Sequence, residues 1–118
     1  MPGGGKEFTL APEGFHESFC ADIPAADAAF YAISQRPLAG VAITEAAPTP
    51  AWRSRTAWAV LPTADRCIDP GVHRFSYERT GATVTVIDGA SHVVMISHPR
   101  EVAEVVMTAV RTCAAQSA

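Results

Sequence analysis

The stretch AWAVLPTADRCIDPGVHRFSYERTGATVTVIDGASHVVMISHPREVAEVV, residues 57–106, decides the fold. It opens on Trp58–Leu61, a short apolar run of the kind that a strand buried on both faces shows. A polar loop, 62–70, follows. Asp69 and Pro70 suit a helix start and Gly81 a helix end, so the spacing predicts a helix over 70–80. The β-branched run Ala82–Ile87 reads as a second strand. Residues 88–97 read as a loop with an apolar insert, Val93–Ile96, and Pro99 opens another helix. Along it Val102, Val105, Val106, Ala109, Val110 and Cys113 fall on one stripe, which must cover something apolar. Strand, helix, strand, helix in this order predicts a parallel pair joined by a crossover.

Parallel strands end at the same edge of their sheet, where open α/β sheets keep their sites. The loop after the first strand carries Asp65, and the loop after the second carries His92. A carboxylate beside an imidazole fixes its tautomer and stabilises its charged form, which makes the ring a general base. Spacing alone fits equally a turn aspartate and a surface histidine. His73, on the 70–80 helix, is expected to be exposed, and His98 to be a surface residue at the cap of the last helix. His73, His92, His98 and Cys67 lack the close ligand pairs of zinc sites, so no metal is expected. Ser91, next to His92, is expected to orient its loop, and Cys67 to be a structural thiol. Trp58 is expected in the core, with Trp52 packing the N-terminal half against it.

Outward from this stretch the pattern is helical. Residues 1–7 read as a flexible leader, with a short strand possible over Lys6–Leu10. Pro12 to about Arg36 reads as helix, with Phe15 and Phe19 sharing a face, Asp22 as a cap, Pro24 in a first turn, and Phe30 and Ile33 as bulky contacts. Leu38–Ile43 suggests one more short helix, and the prolines at 48 and 50 mark a loop. The chain thus divides into a leader, a helical segment over 8–50, and a strand–helix part over 51–118. Two parallel strands, apolar on both faces, do not make a stable sheet by themselves. The sheet is expected to be completed from outside these residues.

Composition bounds the class. Of the 118 residues 48% are hydrophobic and 18% charged, with a formal net charge of -3, as a globular chain with a real core has. There is no basic patch for nucleic acid and no apolar run of membrane-spanning length. Cys20, Cys67 and Cys113 are far apart and odd in number, which suits reduced thiols and a cytoplasmic setting.

The stretch 57–106 resembles the end of the α/β-hydrolase fold: the penultimate strand, the acid, a helix, the last strand, the catalytic histidine and a final helix. The resemblance sets TADRCIDP on the acid loop and GASHVVMISHP on the histidine loop, so it implies Asp65 as the acid and His92 as the base. FHESFCADIPAADAAFYAISQRPLAG, residues 15–40, resembles the helical lid of small esterase-like members, and the likeness spans about residues 8–112. It implies an α/β class, an incomplete α/β-hydrolase fold, an ester-like small-molecule substrate and no cofactor. One feature departs from the family. The nucleophile of the family sits in a G-x-S-x-G turn before the acid. None of Ser18, Ser34, Ser54, Ser76, Ser91, Ser97 and Ser117 has glycines at both flanking positions, and no strand precedes the consecutive glycines Gly3–Gly5. A truncated hydrolase, inactive alone, is therefore expected. The alternatives are one half of a two-chain enzyme and a non-catalytic interaction module, for instance a homodimer closing its own sheet.

Overall fold

The structure is a computed structural model and describes residues 5–116. A two-residue strand β1 (Glu7–Phe8) leads into helices α1 (Pro12–Phe19) and α2 (Ala25–Ile33). Strand β2 (Leu38–Ala39) pairs antiparallel with β1 and runs into helix α3 (Val41–Thr44). After a single 3-10 turn at Ala51–Arg53 come β3 (Trp58–Pro62), α4 (Pro70–Thr80), β4 (Thr83–Ile87), α5 (Val94–Ser97) and α6 (Pro99–Gln116).

The C-terminal elements follow from their residues. β3 and β4 pair in parallel, with Trp58 opposite Thr83 and Pro62 opposite Ile87. The Asp69 carboxylate accepts from the Gly71 N–H at 2.7 Å and so caps α4, while Pro70 occupies a first-turn position that needs no N–H. Gly81 ends α4 in the left-handed region, at φ 66°, where a side chain would be strained. Both α4 and α6 lie against β3.

Four expectations are corrected. The leader is shorter than 1–7, because Lys6 accepts a hydrogen bond from the Gly40 N–H at 2.7 Å and Glu7 is paired in the β1–β2 ladder; residues 1–4 lie outside the described residues. The same pairing turns Leu38–Ala39 into strand and leaves only Val41–Thr44 helical. Asp22 does not cap α2, whose N-cap is Pro24 without a side-chain bond. Within the expected loop 88–97, the apolar insert winds into α5.

The core is in two pieces. Phe15, Cys20, Ile23, Ala28 and Ala32 of the α1–α2 pair form one cluster, joined by Val93. Ile87, Ala90 and Val94 form the other, with Val60 of β3 and Val102 of α6 packed against it. The neighbours Val93 and Val94 thus plug into different clusters, and the loop bearing His92 lies on the seam. Phe30 and Ile33 are exposed, so neither joins the core expected of them; the small Ala28 and Ala32 face inward instead. Trp58 is half-buried, and Trp52 lies near the guanidinium of Arg79 on α4, 5.9 Å from its ring centroid, rather than packing the N-terminal half.

Candidate active site at the carboxyl edge of the β3–β4 pair

The parallel register brings the loops after β3 and β4 together, and backbone bonds stitch them. The Thr63 N–H donates to the Ile87 carbonyl at 3.2 Å and the Ala64 N–H to the Ala90 carbonyl at 3.0 Å. The Thr63 hydroxyl donates to Asp88 at 2.7 Å and accepts from the Gly89 N–H at 2.8 Å. Gly89 sits at φ 73°, the second place where the chain needs a glycine. Asp65 and His92 extend from these paired loops.

Asp65 is buried and its carboxylate is fully engaged. Its Oδ1 accepts from the N–H groups of Cys67 and Ile68, at 2.8 and 3.0 Å. Its Oδ2 meets His92 Nδ1 at 2.8 Å and His73 Nε2 at 3.0 Å. Burial pushes the carboxyl pKa up, but the hydrogen bonds from Ile68, His92, His73 and Cys67 outweigh it and hold the group below its ordinary value. The group is thus ionised at neutral pH and only accepts, so both facing ring nitrogens carry the hydrogen. That leaves the lone pair of the neutral His92 ring on Nε2, which has no hydrogen-bond partner among the described residues. The His92 side chain is 27% exposed, and its ring packs on Phe19 with centroids 4.7 Å apart.

Neighbouring groups position the loop. Ser91, expected to orient it, is buried; its N–H donates to Asp22 at 2.9 Å and its hydroxyl makes a short bond to the same carboxylate. Burial raises the Asp22 pKa, but the two bonds from Ser91 and one from the Ser97 side chain bring it below its ordinary value. Asp22 therefore ties the α1–α2 connection to the histidine loop. His98, whose carbonyl accepts from the Val102 N–H at the start of α6, has its side chain 29% exposed and bonds the Ser97 hydroxyl at 2.9 Å. Burial and the charge of Asp65 both raise the Cys67 thiol pKa, which keeps it protonated and a poor nucleophile.

His73 corrects the sequence reading most. It was expected on the exposed side of α4, yet its side chain is 15% exposed and bonded to Asp65. Tyr77, one turn on, meets its Nδ1 at 3.3 Å. The available signal was the spacing itself: His73 and Tyr77 are four apart and share a helix face, eight and twelve residues past the acid. The apolar Val72 and Phe75 of the same helix are exposed instead. Ligand atoms of Asp65, His73 and His92 lie within 4.8 Å of one another, a spacing that a metal ion could bridge. The arrangement present is the hydrogen-bonded one.

Two cavities adjoin this cluster. One, of about 300 Å³, is lined by Asp65, His73, Tyr77, His92 and Met95 among others. The other, of about 560 Å³, is mainly apolar, walled by Phe8, Leu10, Phe15, Phe19, Tyr31 and Ile96.

Asp65 and His92 thus meet on consecutive loops at the carboxyl edge of a parallel strand pair. The family model described as "Alpha/beta hydrolase family" matches residues 2–105, and the chain belongs to that family. No curated protein and no solved structure matches it. Among the described residues no helix is long and apolar enough to cross a membrane.

Proposed function

We propose that these 118 residues supply the acid, Asp65, and the base, His92, of an ester-type hydrolase whose nucleophile and oxyanion donors lie outside them. The observation that carries the reading is the 2.8 Å bond from His92 Nδ1 to Asp65 Oδ2, with Nε2 left unpartnered. In the complete site Nε2 takes the proton of the attacking hydroxyl as it adds to the ester carbonyl. Asp65 stabilises the imidazolium so formed, and that ring then protonates the leaving alcohol. The same nitrogen next deprotonates the water that releases the acid. The segment over 8–50 acts as the lid, its Phe19 lying on the His92 ring.

The sheet supports the need for a complement. It has two strands, and a parallel sheet of two is too small to stand alone. The accessible surface is 8482 Å², against roughly 6,100 Å² for a compact monomer of this mass. The excess is about three times the roughly 800 Å² that one partner buries in an interface of ordinary size. On this reading the open edge of β3 receives further strands, which bring the nucleophile. A second copy of the chain is the alternative occupant, and the exposed apolar side chains Val72, Phe75 and Val86 favour it equally. Free thiols at Cys20 and Cys67 fit a reducing compartment such as the cytoplasm.

The test is p-nitrophenyl ester hydrolysis by the purified chain. No turnover above that of free imidazole is expected, because a base without nucleophile and oxyanion hole gives little rate. Turnover that His92→Ala abolishes would show that the nucleophile lies within the chain and would refute the reading.

A further inference from the structure

We propose that His73 is a positioning residue of this site: a second imidazole that, with His92, clamps the Asp65 carboxylate in one orientation. The proposal rests on the reading of Asp65 as the acid.

The argument starts from lone pairs. A carboxylate offers about four acceptor positions. Two on Oδ1 are taken by the N–H groups of Cys67 and Ile68, which belong to the acid's own loop. Of the two on Oδ2, His92 takes one and His73 the other. Without His73 one lone pair of a fully buried carboxylate would be unpaired, and the group would be free to tilt about its Cβ–Cγ bond. With it, the plane of the carboxylate is fixed by donors from three places: its own loop, α4 and the loop after β4. That plane sets the direction of the bond to His92 Nδ1, and so the aim of Nε2.

His73 is itself oriented. Its Nε2 faces an ionised acceptor and must carry the hydrogen, so in the neutral ring Nδ1 holds the lone pair. The Tyr77 hydroxyl, 3.3 Å away, donates to it. The rings of His73 and Tyr77 stack with centroids 5.5 Å apart, which removes the freedom of the imidazole to flip. Burial and the Asp65 charge both push the Tyr77 pKa up, so the phenol keeps the proton that it donates. The chain of donors runs Tyr77 to His73 to Asp65, and His92 donates to the same oxygen from the other side.

The experiment is imidazole nitrogen–proton correlation NMR on the whole 15N-labelled chain, near neutral pH, with no substrate. In the wild type His73 is expected as the Nε2–H tautomer and His92 as the Nδ1–H tautomer with a slowly exchanging proton. His73→Phe should speed exchange of that His92 proton on the order of tenfold, the effect of losing one hydrogen bond to a charged group. It should also give His92 a mixture of tautomers. His73→Gln, whose amide donates where Nε2–H does, should restore most of the wild-type signature. A His92 signature unchanged in His73→Phe would overturn the proposal, because a merely space-filling His73 leaves it untouched. If His73→Phe does not fold, the wild-type chain decides. A slowly exchanging His73 Nε2 proton supports the proposal, and a His73 found as the Nδ1–H tautomer, or with an Nε2 proton exchanging as in free imidazole, refutes it. These readouts need no catalysis, so failure of the hydrolase reading and failure of this inference are separable.

Discussion

At the scale of single residues the site rests on two carboxylates, Asp65 buried and Asp22 more exposed, with too many donors to be incidental. Asp65 and Asp22 each join segments far apart in the chain, and each has its pKa held below the ordinary value of 3.8. A carboxyl with a depressed pKa in the folded state contributes stability that is fully present above its unfolded value and is lost as the pH falls through the folded one. Thermal melts should therefore change little from pH 7 to pH 5 on account of these groups, and fall steeply below about pH 4. Asp65→Asn should flatten that acid limb, because the amide does not titrate. An unchanged acid limb in Asp65→Asn would contradict the hydrogen-bond account of the site. Asp65 and His92 were legible in sequence because each hangs on a strand end, and strand ends are visible as changes of periodicity. His73 was not, because α4 has no clear apolar face: its inward residues His73 and Tyr77 are polar, and its apolar Val72 and Phe75 are outward.

At the scale of elements, β3, α4 and β4 behave as their sequences demand. Asp69→Ala should cost about 1 kcal/mol by removing the cap of α4, and Gly81→Ala about 1 kcal/mol or more through left-handed strain, since open space surrounds that position. Leu61, 1% exposed at the end of β3, should cost about 2–5 kcal/mol as Leu61→Ala. Denaturant titrations of the three variants check these values, and an ordering with Leu61→Ala as the mildest would contradict the assigned core. The elements that sequence missed are the short ones. The two residues of β1 and of β2 carry no period, and they form only because Gly40 lets the chain approach Lys6 closely. α5 likewise owes its helix to the burial of Val94, a tertiary effect with no local signature.

At the scale of the molecule the described fold is open. Its Cα radius of gyration is 16.6 Å, where a compact chain of this length has about 13.5 Å. The stripe expected on α6 is only half covered: Val102, Val105 and Ala109 are partly buried, while Val106 and Val110 are over half exposed. The sequence argument that two strands are too few agrees with this surface. Isolated chain should bind a hydrophobic dye or self-associate at micromolar concentration in analytical ultracentrifugation. A strictly monomeric species that binds no dye would count against an unmet sheet edge.

The central claim is that Asp65 and His92 are the acid–base half of a hydrolase site. It is tested most directly by mixing the chain with a polypeptide that bears the G-x-S-x-G strands of an α/β-hydrolase, and following p-nitrophenyl ester hydrolysis. The account predicts turnover only in the mixture, lost by a factor of about 10³ or more in His92→Ala and strongly reduced in Asp65→Ala. Mixture-dependent turnover that survives His92→Ala would contradict it.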